Sequence, residues 1–129
     1  MMKITNRRIV NDSNFLSSLM HRQFPVKISY AISKNISKLE SDLKIYNSER
    51  EKIINKYCKK DEEGHLVIDE NNNYSIEKEH IDICNKELNE LLDIEVDIDI
   101  HKFKLNDLLQ CNLEVSPADL SLIDYMIEE

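Results

Sequence analysis

The chain is predicted to be an α+β protein: a long antiparallel helical hairpin with a tip β-hairpin and a small antiparallel sheet at its base. Three observations carry this. Apolar residues Ile36, Leu39, Leu43, Tyr46, Ile53 and Tyr57 recur at steps of three and four, interrupted only by Arg50, and Ile81, Cys84, Leu88 and Leu91 repeat the period. Between the two runs lie Leu66-Val67-Ile68 and Tyr74-Ser75-Ile76, separated by the polar turn Asp69 to Asn73. Residues 94–104 then alternate, with Ile94, Val96, Ile98 and Ile100 on one face and Glu95, Asp97, Asp99 and His101 on the other. A length of 129 residues suits a single domain, 1–129, with 26–93 as the helical core and 1–25 and 94–129 as the base.

In chain order, Met2 to Val10 mixes β-branched and basic residues and is predicted as a strand exposing Arg7 and Arg8. Asn11, Asp12 or Ser13 can cap a short helix with Phe15, Leu16, Leu19 and Met20 inward, ending near Gln23 because Pro25 disfavours helical geometry at Phe24. Pro25 suits the start of the long helix, about 26–60, which at 1.5 Å per residue is roughly 50 Å long. The returning helix, 77–92, covers only half of it. Its other half, near Ile28, Ile32 and Ile36, must pack on the terminal segments or on another subunit, and this unmet burial argues for a homo-oligomer. The acidic strand 94–104 is the natural neighbour of the N-terminal strand carrying Lys3. After a short turn through Asn106 to Leu109, Ser116-Pro117-Ala118-Asp119 supplies an N-cap, a first-turn proline and an acid for a last helix, 117–127, with Leu120, Ile123, Met126 and Ile127 inward. No internal repeat or low-complexity linker is evident.

Composition bounds the chemistry. One glycine, Gly64, excludes a Gly-rich phosphate loop and argues against an NTPase or dinucleotide enzyme. No serine or cysteine stands in a pattern that suggests nucleophilic catalysis, so no catalytic residue and no cofactor are implied. The apolar runs are shorter than the roughly 20 residues of a membrane span, and the start lacks the apolar core of a secretion signal, so a cytoplasmic location is expected. Cys58, Cys84 and Cys111 are odd in number and widely spaced, which predicts reduced thiols. Cys58, His65, His80 and Cys84 sit near the tip and could in principle hold zinc, but no short paired-ligand spacing exists and Cys84 lies on the helical seam; a core cysteine with surface histidines is the better reading.

Charge is the most informative feature. Residues 1–60 carry 13 Lys or Arg against 5 Asp or Glu, whereas 61–129 carry 4 against 20. The acidic half disfavours nucleic acid, and internal pairing between the two halves explains much of the asymmetry. Two surfaces remain. The row Glu95, Asp97 and Asp99 is either the solvated face of a strand, a weak cation site, or an acidic face that docks on a protein. Alternatively, Arg7, Arg8, Arg22 and Lys27 could hold a small anionic ligand such as a nucleotide at a subunit junction.

The segments Lys3-Ile4-Thr5-Asn6-Arg7-Arg8-Ile9-Val10, Phe24-Pro25-Val26-Lys27-Ile28-Ser29-Tyr30-Ala31-Ile32-Ser33-Lys34-Asn35, Val96-Asp97-Ile98-Asp99-Ile100-His101 and Ser116-Pro117-Ala118-Asp119 together resemble a family of small phage and prophage proteins of low-GC Gram-positive bacteria, a domain of unknown function. The resemblance implies a viral protein in a bacterial host cytoplasm and supplies no catalytic residues. By analogy with other small acidic phage proteins, it points first to a non-catalytic accessory protein that binds and inhibits a host antiviral defence factor. A sponge for a nucleotide immune signal and a virion-assembly or scaffold protein are the alternatives.

Overall fold

A computed structural model describes residues 1–110 and 114–128. Its elements are mixed helix and sheet: β1 (Met2–Thr5), α1 (Asn6–Leu19), α2 (Val26–Tyr57), α3 (Ile81–Leu92), β2 (Glu95–Ile98), β3 (Phe103–Lys104), α4 (Leu105–Leu109), α5 (Pro117–Ile123) and β4 (Ile127–Glu128), with 3-10 turns at Lys78–His80 and Asp124–Met126. They form two compact units, Met1–Leu43 with Glu95–Glu129, and Lys44–Ile94, so the division falls within α2.

In the first unit the N-terminal strand is shorter than its β-branched residues predict, and the helix after it starts earlier. The Thr5 hydroxyl accepts from the Arg8 N–H at 3.2 Å, Arg8 meets Asp12 one turn on, and Ile9, Leu16 and Leu19 turn to one buried face, so a capped amphipathic helix displaces strand after residue 5. Phe15 and Met20, expected inward, are exposed. The first helical bond of α2 runs from the Ser29 N–H to the Pro25 carbonyl, which needs no proline N–H.

β1 and β2 pair antiparallel, with Lys3 opposite Asp97 and Ile4 opposite Val96, as the alternation of charge and apolar residues predicts. The expected strand 94–104 nevertheless ends at Ile98. The Lys38 ammonium donates to the Asp99 carbonyl, and the Asn35 amide takes both backbone groups of His101; these bonds replace a ladder. The chain resumes as β3, which pairs in parallel with β4 through Phe103 and Ile127, and Lys104 and Glu128.

Ile28, Ile32 and Ile36 are buried among Ile4, Ile9, Leu16, Leu19, Ile98, Phe103, Leu108, Ile123 and Met126. Both terminal segments thus pack on this half of α2. Each fully buried aliphatic side chain contributes about 1.5–3 kcal/mol. Ser116 and Asp119 form a reciprocal capping box at the start of α5. The helix ends at Ile123 rather than 127, and Leu120 faces outward while Leu122 joins the core.

In the second unit, Tyr46, Ile54, Tyr57, Cys58, Cys84 and Leu91 are buried. Ile53 is only half-buried, because a straight helix of 3.6 residues per turn drifts off a strict heptad seam. The Lys56 ammonium meets the Glu87 carboxylate at 3.3 Å, one of the expected pairs between basic and acidic helices. The tip differs from a two-stranded hairpin. Single bridge pairs join Lys60 to Leu66, Ile68 to Tyr74 and Cys58 to Ile76, and the inner bonds close a ring: Lys59 N–H to Ser75 O, Ser75 N–H to Val67 O, Val67 N–H to Lys59 O.

This ring exposes a repeat missed in the sequence. Lys59, Val67 and Ser75 are spaced by eight, and each of the first two is followed two residues on by an Asp that caps a turn. Asp61 accepts from the N–H groups of Glu63 and His65, and Asp69 from those of Asn71 and Asn73. Gly64 at φ 85° and Asn72 at φ 62° occupy the matching left-handed positions, which only glycine or asparagine adopts readily.

Candidate functional site

The acidic row is exposed, as expected, but only its first two residues lie on a strand. Glu95 and Asp97 are exposed on β2 and Asp99 is exposed just beyond its end. Among the described residues no hydrogen bond or ion pair engages the three carboxylates, although Asp97 stands opposite Lys3 in strand register. The face is therefore a free, negatively charged edge of a two-stranded sheet.

Arg7 and Arg8 lie on α1 rather than on a strand. Arg8 is committed internally: its guanidinium meets Asp12 at 3.2 Å and Asp124 at 2.9 Å, and covers the Tyr125 ring at 4.7 Å. Burial acts to lower its pKa, but the hydrogen bonds to Asp124 and Asp12 outweigh it and raise it. Arg22 meets Asp119 at 2.7 Å and the Glu114 carbonyl at 3.4 Å; this guanidinium holds the Asp119 carboxyl below its ordinary value. Two of the four residues thus fasten α1 and the segment after it to the C-terminal elements.

The tip histidines and cysteines also remain apart in role. The Cys58 thiol donates to the carbonyls of Lys59 and Val67, Cys84 is buried with its pKa pushed up chiefly by desolvation, and His65 sits on an exposed turn beside Asp61 and Glu63. His80 packs on Tyr57, ring centroids 5.5 Å apart, with Nδ1 3.4 Å from the Glu77 carboxylate. Among the described residues no three such side chains form a metal-holding group. Cys111 lies outside the described residues.

Lys27 borders a concavity. It lines a groove of about 330 Å³ together with Tyr30, His101, Lys102 and Lys104. Tyr30 and His101 meet edge to face at 5.5 Å, and the Lys34 ammonium lies 5.5 Å from the Tyr30 ring. One buried side chain sets this arrangement. The Asn35 Nδ2 donates to the His101 carbonyl at 2.8 Å and its Oδ1 accepts from the His101 N–H at 2.7 Å. The signal was legible: Ile28, Ile32, Asn35 and Leu39 share one helical stripe, and a polar residue in such a stripe is buried with its own partners. Lys102 and Lys104 escaped notice because their neighbours across the groove are remote in sequence.

The chain was compared with family models, with curated proteins and with solved structures, and none matches. Among the described residues no helix is long and apolar enough to cross a membrane.

Proposed function

We propose that this chain is a non-catalytic phage accessory protein that binds and inhibits a host antiviral defence factor through Glu95, Asp97 and Asp99. One observation carries the reading: the three exposed carboxylates have no internal partner among the described residues, whereas Arg8 and Arg22 are neutralised within the chain. A free row of like charge on a strand edge favours a partner with complementary basic side chains, by steering encounter and fixing register. The viral setting rests on the sequence resemblance. In this reading α3 returns along the second half of α2 as an antiparallel helical hairpin, supported by the Lys56 to Glu87 pair and the Tyr57 to His80 contact.

The test is the triple reversal Glu95→Lys, Asp97→Lys, Asp99→Lys, expressed in bacteria carrying defined defence systems and challenged with a phage they restrict. The wild-type chain is expected to restore plaque formation against at least one system, and the reversed chain to lose at least tenfold of that effect. Equal restoration by both chains, or no restoration against a broad panel, overturns the proposal.

A further inference from the structure

We infer that the groove lined by Lys27, Tyr30, His101, Lys102 and Lys104 is a binding site for a nucleoside 5′-monophosphate. This goes beyond the acidic strand face and does not depend on it. The argument starts from charge. In a chain of net charge −8, three lysines converge here, and among the described residues none of them is engaged by an ion pair or hydrogen bond. An ammonium cluster of this kind suits a phosphate monoester, which carries about −1.5 to −2 at neutral pH.

The rest of the lining narrows the class. Tyr30 is 57% exposed, and its ring stands edge to face with the His101 imidazole, so the groove offers aromatic surface to a planar base. Asp107 and Glu128 also line it. Two carboxylates would repel a bare phosphate or a polyphosphate, but they accept hydrogen bonds from ribose hydroxyls or an exocyclic amine. A ligand with a single phosphate at one end and neutral donors at the other answers both parts of this lining. The volume of about 330 Å³ is at the lower end of the roughly 300–1,000 Å³ typical of small-molecule pockets, and so suits a mononucleotide better than a larger cofactor.

The groove is also held in place before any ligand arrives. Asn35 is fully buried and ties the His101 backbone by two hydrogen bonds, while Lys104 is set opposite Glu128 by the β3 to β4 pairing. Binding therefore orders few backbone groups, which lowers its entropic cost.

The test titrates the full chain with AMP, GMP, CMP and UMP by saturation-transfer NMR and thermal shift, alongside inorganic phosphate and the four matching nucleosides. At least one monophosphate is expected to bind and raise the melting temperature, with affinity at least tenfold above both phosphate and its nucleoside. The double variant Lys27→Glu, Lys102→Glu, two exposed positions whose change leaves the core untouched, is expected to lose at least tenfold in affinity with an unchanged circular dichroism spectrum. Tyr30→Ala is expected to lose severalfold. Three results overturn the assignment: no monophosphate binding at millimolar concentration, phosphate binding as tightly as the nucleotide, or nucleotide binding indifferent to the lysine reversals. The reversal of Glu95, Asp97 and Asp99 leaves the groove residues in place, so failure of the defence-inhibition test and failure of this one are separable.

Discussion

Replacing Asn35 with Ala is expected to be among the most destabilising single polar substitutions in the first unit. The residue is 0% exposed, and its amide makes two short hydrogen bonds to one backbone residue, His101. Each such bond contributes about 1 kcal/mol net, and leaving a part-buried N–H and C=O without partners adds to the loss, for a total of about 2–4 kcal/mol. With 129 residues the unfolding entropy near 60 °C is about 0.27 kcal/mol/K, so each kcal/mol shifts the melting temperature by about 4 °C, and the variant should melt roughly 8–15 °C lower. Differential scanning calorimetry measures this directly. Asn35→Asp adds a sign test. A carboxyl buried at this position has its pKa raised, so its protonated form is the one that fits, donating to the His101 carbonyl while the other oxygen accepts from the N–H. A raised folded pKa means the stability is present below the ordinary aspartate value, near pH 4, and lost as pH rises through the folded value; the deficit of Asn35→Asp against wild type should therefore shrink on acidification. A drop under about 4 °C for Asn35→Ala, or an Asn35→Asp deficit that grows as pH falls, would refute the view that this amide organises the segment after β2.

Tyr125→Phe is expected to be neutral or stabilising by up to about 1–3 kcal/mol, because among the described residues the buried Tyr125 hydroxyl has no hydrogen-bond partner; chemical denaturation of the two proteins decides it. Burial, the largest influence, pushes this phenol up to about 12, so spectrophotometric titration should show a late-ionising phenol that Tyr125→Phe removes; the associated stability is present below pH 10 and lost toward pH 12, and Tyr125→Phe should lack that loss. Arg22→Ala should cost about 0.5–1 kcal/mol, discounted because the guanidinium is 38% exposed. Because the Arg22 hydrogen bond holds the Asp119 pKa down, the stability it confers is present above about pH 4 and lost as pH falls through the depressed value, so the two proteins should converge in acid. Gly64→Ala should cost about 1 kcal/mol, from the positive φ alone, since a Cβ there meets no atom within 4 Å; Gly64→Asn, which tolerates that geometry, should recover part of it in the same melting assay.

Much of the architecture was legible locally. The length of α2, the Ser116 to Asp119 capping box and the pairing of a basic β1 with an acidic β2 all follow from periodicity, turn chemistry and charge within a few residues of each element. The exposure of Glu95 and Asp97 was equally legible, because alternation on a strand assigns its face directly, whereas Asp99 lies past the end of β2. Where local signals conflicted, they failed. Ile4, Ile9 and Val10 speak for strand, yet the Thr5 cap and the Arg8 to Asp12 pair start a helix at Asn6; Ile94 to Ile100 alternates throughout, yet Asn35 and Lys38 claim the backbone after Ile98.

What the chain's order of residues could determine by itself was therefore the set of elements whose stabilising contacts lie within a turn or a neighbouring strand, together with the excess of charge on each half. Only tertiary structure decided which charges survive as surface. Arg8 and Arg22 were drawn into pairs with Asp124 and Asp119, about a hundred residues away, while Lys27 was left beside Tyr30, Lys102 and Lys104. The physical reason is that a strand or helix is specified by bonds between near neighbours, whereas a binding site is specified by the charges that folding leaves without a partner.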